Sequence, residues 1–412
     1  MTAPNGSILF NNSTGSDTQS SGLGPSTAVY GTGASTTAAS AVVTGIDTTG
    51  VSAGDLLWVQ SSSGRQFSII ASVDSSTQVT CDDVLANTES SRTWAIGGKR
   101  SGLSGSTQIW ADVPSSDVWE LELAYTGINY TISSTIFFNR LVYITGTGGR
   151  PVIEMTADST PMFRTSVNVG SHRLKNLKFI NTASAKDICF QCYDAGPNAQ
   201  LIDCIVGELN NSFSNHIWKT GLTATTFLAK NTVFTDSTSH GIQHSNGNLN
   251  LNFEKCIIKN SGGDGWYMSH NNMTLVFRSC QIINNTSFGI RWQTIYTGTR
   301  FNMVDCIING NGSDGIYFTG VNTTIMQNCI VANNGGYGLR QGGAVNTRDL
   351  AYMNNNAFYN NSSGHLSNIN LDSTNIMLDA DPFVDAANGD FNLNATNGGG
   401  GTLRSKNYTL GG

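Results

Sequence analysis

Charge is scarce in this 412-residue chain: 22 Lys and Arg with 28 Asp and Glu make up only 12% of it. The basic residues are spread thinly, without the patch or arginine-rich tail that marks a nucleic-acid-binding protein, so no nucleic-acid partner is expected. No apolar run approaches the ~18 residues of a membrane-spanning helix, so no membrane insertion is expected. The start, MTAPNGSILFNNSTGS, has neither the basic nor the apolar region of a secretory signal. The eight cysteines are accordingly read as free thiols rather than as a disulfide framework. Cys189 and Cys192 form a CxxC, but no second CxxC or His pair completes a zinc site, so neither a metal nor a cofactor is predicted. Low charge with abundant Ser, Thr, Asn and 46 Gly fits disorder by composition, but the 39% hydrophobic residues recur at regular spacing and argue against it.

What the chain does contain is one phrase written four times between Leu251 and Gln341: LNFEKCIIKNSGGDGWYM, LVFRSCQIINNTSFGIRW, FNMVDCIINGNGSDGIYF and TIMQNCIVANNGGYGLRQ. Its cysteines, Cys256, Cys280, Cys306 and Cys329, step by 24, 26 and 23 residues, and so do its glycines, Gly265, Gly289, Gly315 and Gly338. A period in the twenties built from short strands and turns is the signature of a solenoid. Within each phrase the apolar residues alternate, as in Leu251/Phe253 and Ile316/Phe318, which is strand periodicity. Each phrase has room for two or three short strands and none for a helix of about ten residues. One phrase is therefore one coil of a parallel β-helix, stacked about 4.8 Å from the next. The Cys column is expected at an inward corner as a small apolar residue, and the Gly column at a tight bend needing positive φ. Cys204, Asn231, Leu177 and Asn356 extend the Cys column, Asn231 as a member of an amide ladder, and Gly241 and Gly364 extend the Gly column.

In chain order, residues 1–45 read as a polar amino-terminal arm and 46–100 as a small antiparallel β module. The module's strands are DLLWVQ (55–60), QFSIIASV (66–73), TQVTCDD (77–83) and RTWAIGG (92–98). The stretch GKRSGLSGS (98–106) reads as linker or solenoid entry, residues 101–395 as the β-helix, and 396–412 as a tail.

From Val118, the runs VWELELAYTGINYTISSTIFF and LVYITGTGGRPVIEM resemble the first coils of the pectate-lyase-like superfamily, through Leu121, Leu123, Gly127, Tyr130, Ile132, Ile136, Ile144, Gly146, Gly148, Pro151 and Val152. Residues 311–316 resemble its generic coils, and ADPFVDAANGDFNLN (380–394) resembles its closing segment. The resemblance implies an all-β fold, a right-handed parallel β-helix preceded by the small module. It specifies activity weakly, because that superfamily hosts lyases, hydrolases, binding proteins and virion spikes. Arm, module and body together resemble a bacteriophage tail spike or virion adhesin. That resemblance implies a homo-oligomer, generally a trimer, assembled in the host cytoplasm, attached to other virion proteins through its amino-terminal region and binding a host-surface polysaccharide.

Beyond each column Gly, the second residue is expected to point outward, giving Trp218, Gln243, Tyr267, Arg291, Tyr317 and Arg340. The residue before the Gly gives a neighbouring column of His240, Asp264, Phe288, Asp314 and Tyr337. Trp218, His240, Tyr267, Arg291, Tyr317, Tyr337 and Arg340 are the candidate glycan-binding residues, since aromatic and Arg side chains suit sugar rings and hydroxyls. The plainer reading of the same columns is cross-strand pairing on a solvated sheet face, or a subunit interface. Asp264 and Asp314 lie two coils apart, roughly 9.6 Å by strand spacing, near the upper end of the ~6.5–9.5 Å of inverting glycosidases. They are the candidate catalytic pair, although D-G is also a plain turn dipeptide. A lyase would use His240 or Tyr267 as base and Arg291 or Arg340 to stabilise the enolate. Three functions stand open: an adhesin that binds a glycan, a depolymerase that cleaves it, and a structural virion or filament component.

Overall fold

Of the 412 residues, this structure, a computed structural model, describes all but 1–5, 11–12, 14–23, 26, 63, 99–102, 104–118, 139–141, 160, 166–171, 193–198, 220–224, 245–248, 270–272, 294–299, 320–322, 343–351, 370–372, 407 and 409–412. The linker read over 98–106 lies largely outside the described residues. The chain forms two compact units, Met1–Thr156 with Ser171–Lys178, and Ala157–Gly170 with Phe179–Gly412. No helix among the described residues is long and apolar enough to cross a membrane.

In the first unit, Gly6–Phe10 pairs in parallel with Trp119–Ala124, which pairs in turn with Val142–Thr147. Buried Ile8, Leu121 and Ile144 stand in one inward row of this sheet. The buried Tyr130 hydroxyl donates to the carbonyls of Phe10 (3.1 Å) and Ala124 (3.0 Å) and pins the first strand in place. Between those two strands the chain makes a closed antiparallel barrel of six strands, in the order Val29–Thr36, Ser40–Thr44, Gln78–Leu85, Gly64–Ser75, Leu56–Ser61, Glu89–Ile96. Val43, Leu57, Val59, Ile70, Val79, Trp94 and Ile96 fill it. The four expected strands are present. Two more lie in the stretch read as a polar arm, VYGTGAST and SAVVT, whose small residues hide the period-two alternation. Gly33 and Gly45 let these strands meet: a Cβ on Gly45 would lie 2.2 Å from the Gly33 carbonyl oxygen.

The second unit repeats a coil of three strands. Leu249–Glu254, Ile257–Lys259 and Trp266–Met268 are followed by Met273–Arg278, which pairs in parallel and in register with the first of them. Leu251 stacks on Leu275 and Phe253 on Phe277 in the first sheet, Ile258 on Ile282 in the second, Trp266 on Ile290 in the third. All eight side chains are buried. The fold is the parallel β-helix expected from the period.

The corners differ from expectation in an informative way. The bend between first and second strands is made by one left-handed residue just before the Cys column: Lys255, Ser279, Asp305 and Asn328, with φ from 52° to 56°. Asn231 belongs to that set (φ 49°), so the Cys place in its coil is held by Thr232, one residue later than expected. Each column Cys reaches across the bend: the thiols of Cys256, Cys280, Cys306 and Cys329 donate to the carbonyl two residues back at 3.2–3.3 Å. The Thr232 hydroxyl makes the same bond at 2.9 Å. At these positions the side chain is small and also has a hydrogen to donate, whereas Leu177, which follows the left-handed Asn176, fills the same place without one.

The Gly column is not a positive-φ column. A Cβ on Gly241, Gly265, Gly289, Gly315 or Gly338 would lie 2.5–2.7 Å from the backbone oxygen of the next coil. Close approach between coils, not φ, requires glycine there. Gly364 sits one residue early, and His365 takes the column place. The amide ladder stands three to four residues before these glycines, in Asn285, Asn311, Asn334 and Asn361, joined side chain to side chain at 2.8–2.9 Å. Asn356 joins a second amide bond, to Asn375, at 2.9 Å.

The carboxy-terminal residues pack closely. The hairpin Phe383–Asp385/Asp390–Leu393 and the helix Gly400–Ser405 bring Phe383, Phe391, Leu393, Leu403 and Tyr408 against Ile283, Ile307 and Ile330, the outward residues of the second sheet. The described part of the stretch read as a tail from 396 thus packs as a cover over one face of the coils.

Candidate functional site

The third sheet carries the flank. Its central strands, Ile242–His244, Trp266–Met268, Ile290–Trp292 and Ile316–Phe318, are three residues long, buried–outward–buried, and Tyr337–Gln341 extends to five. Backbone pairing puts Trp218, Gln243, Tyr267, Arg291, Tyr317 and Arg340 in one row. The Trp218 side chain lies outside what the structure describes. The row runs on through Gln191 and Arg164, which sequence reasoning missed because their coils lack the Gly marker.

The rings and guanidinium groups of this row and its neighbour stack on one another. His240 lies flat on Tyr267, with ring centroids 4.8 Å apart and planes at 15°. The Arg291 guanidinium is 5.6 Å from the Tyr267 ring and 5.1 Å from the Phe288 ring. Phe288 and Tyr317 are 5.6 Å apart. Arg340 lies 5.4 Å from the Tyr317 ring and 5.9 Å from the Tyr337 ring. The aromatic faces therefore turn along the helix axis toward neighbouring coils. A ligand would meet ring edges, hydroxyls and guanidinium N–H groups. The Tyr267 hydroxyl already donates to Gln293 Oε1 at 2.7 Å, a partner unreadable from the repeat.

Beneath the two arginines lie the two carboxylates. The Asp264 side chain is 1% exposed and that of Asp314 is 3% exposed. Asp264 Oδ1 accepts the Phe288 N–H (3.1 Å), and Asp314 Oδ1 accepts the Tyr337 N–H (2.7 Å). Each Oδ2 is sealed from solvent without a hydrogen bond and faces a guanidinium, Arg291 at 3.8 Å and Arg340 at 3.6 Å. Burial raises the Asp314 pKa, against the Tyr337 N–H and the Arg340 charge. His240 Nδ1 accepts the Asp264 N–H at 3.0 Å, which leaves its proton on Nε2. Burial lowers the His240 pKa; the Asp264 charge opposes that shift and the Arg291 charge adds to it. The site thus holds a neutral imidazole and two arginines anchored on buried carboxylates. Neither Asp presents an oxygen to a ligand on the flank in this geometry. Among the described residues no group of His, Cys, Asp and Glu is arranged to hold a metal ion.

No protein-family model matches the sequence, and no curated protein matches it. Among solved structures, ORF18 of Geobacillus virus E2 aligns over 67% of this chain and 58% of its own, with 14% identity and a TM-score of 0.48. Pectate lyase Pel9A aligns over 65% of this chain and 74% of its own, with 16% identity and a TM-score of 0.40. The tailspike protein gp49 of Pseudomonas phage LKA1 aligns over 87% of this chain and 62% of its own, with 13% identity and a TM-score of 0.30. The chain spans less than two thirds of the two phage proteins' lengths.

Proposed function

We propose that this chain is a virion surface protein of the tail-spike or fibre type that binds a host-surface polysaccharide along the third sheet of its β-helix. The observation that carries the reading is the ladder Tyr267–Arg291–Tyr317–Arg340, partly exposed and held at strand spacing on a rigid sheet. A row of hydrogen-bonding edges repeating every coil suits a polymer that repeats along the same axis. Attachment to other virion proteins through the amino-terminal barrel, and assembly as a trimer, belong to the same proposal and rest on the sequence resemblance. Binding without cleavage is favoured over depolymerase action because Asp264 and Asp314 are covered.

The test is retention of the full chain on an array of bacterial surface polysaccharides. Tyr317→Ala is expected to weaken binding by about tenfold or more, as loss of a central aromatic anchor does, with unchanged circular dichroism. Absence of binding to every surface polysaccharide would sink the adhesin reading. New reducing or unsaturated ends, lost in Asp264→Asn and Asp314→Asn, would establish the depolymerase instead.

A further inference from the structure

Resting on the glycan-binding reading, we infer that the flank takes an acidic polysaccharide bearing its negative charge on every second sugar. Arg291 and Arg340 flank Tyr317 in the outward row, one coil to either side of it. Two coils separate the arginines by about 9.6 Å, twice the strand spacing, close to the length of a disaccharide unit. Their side chains are 30% and 45% exposed, whereas the carboxylates behind them are 1% and 3% exposed. The positive ends are offered to solvent and the negative ends are not.

The guanidinium groups are also held loosely. Their distances to Asp264 and Asp314, 3.8 and 3.6 Å, are attractive but too long for a formed hydrogen bond. Each planar fork is held in place by a buried charge and two rings, with Arg291 Nε sealed from solvent and the rest of both side chains partly exposed. A fork of that kind matches the two oxygens of a carboxylate, or those of a sulfate or phosphate ester. Between the forks stands Tyr317, whose hydroxyl suits a neutral sugar. The order Arg–Tyr–Arg thus fits anionic–neutral–anionic.

The experiment measures binding of three polymers to the immobilised full chain: hyaluronan, with a carboxylate on alternate sugars; polygalacturonate, with one on every sugar; and dextran, with none. Hyaluronan is expected to bind tightest, and to weaken as salt screens the contact. Arg291→Gln and Arg340→Gln are each expected to lower hyaluronan affinity by about tenfold or more, the scale of one charged hydrogen bond, and to lower any dextran affinity by much less. Arg291→Lys, which keeps the charge but not the fork and guards against a folding artefact, should fall between wild type and Arg291→Gln. If dextran binds as well as hyaluronan and the Arg variants change nothing while Tyr317→Ala still weakens it, the glycan reading stands and the charge inference is overturned. Equal binding of polygalacturonate overturns the alternation. If none of the three binds but a neutral array glycan does, the acidic class is overturned; if no glycan binds at all, the underlying reading fails with it.

Discussion

A single atom decides the Gly column. Gly289 leaves 2.5 Å between a would-be Cβ and the Gly315 carbonyl oxygen, with the Asn311 amide nitrogen at 2.9 Å. Gly289→Ala must push two coils apart, and a destabilisation of about 1–3 kcal/mol is expected from urea unfolding. The asparagine ladder is equally local. Asn311 Nδ2 donates to Asn334 Oδ1 at 2.9 Å and to the Ile282 carbonyl at 3.2 Å, while its Oδ1 accepts the Asn285 N–H at 3.2 Å. Asn311→Ala strands these groups in a dry core and should cost about 1–3 kcal/mol, read in the same unfolding measurement. In the barrel, the Ser62 N–H foremost, then Ser61 and Arg92, hold Glu89 down to about 2, against its burial. Its folded value lies below the ordinary 4.5, so its stabilisation is full above that value and is lost as pH falls through about 2. Melting temperature followed from pH 5 to pH 2 should fall less steeply in Glu89→Gln; an unchanged slope would remove Glu89 as the cause.

At the scale of elements, the carboxy-terminal cover is where stability and aggregation meet. Ile283, Ile307 and Ile330 project from the second sheet, and Leu403, fully buried, seals them. Leu403→Ala opens a cavity there and is expected to cost about 2–5 kcal/mol. Dye binding to exposed apolar surface should rise well below the global unfolding midpoint, as the cover lifts before the coils separate. Simultaneous loss of cover and coils would show that the two form one cooperative unit. The stack of Cys256, Cys280, Cys306 and Cys329 is the complementary element: short strands, sharp single-residue corners, and thiols buried at every corner. Burial pushes the Cys256 and Cys306 thiols up, which makes them poor nucleophiles.

For the whole molecule, the open ends of a solenoid carry unpaired strand edges that need covering. Association of copies would meet that need, and under the tail-spike proposal a trimeric mass by light scattering is the expected outcome. The same sample of Tyr317→Ala should keep that mass. A change of mass in this variant would make the flank a subunit interface, and the glycan reading would be abandoned with it.

Two markers at a common period, Cys and Gly, determined the parallel coil, because residues one period apart must stack when every coil closes on the same three strands. The outward row from Trp218 to Arg340 was legible for the same reason: alternation on a short strand leaves only one residue facing out. The barrel strands over 29–44 were hidden, since Ser, Thr, Gly and Ala carry too little contrast between inside and outside. Register within a corner was also beyond the sequence, where Asn231 and Thr232 are both small and polar and only backbone φ separates them. The depth of Asp264 and Asp314 was decided by the tertiary structure alone. A D-G dipeptide reads the same whether its carboxylate faces solvent or the backbone N–H of the next coil, and stacking placed both side chains beneath an arginine.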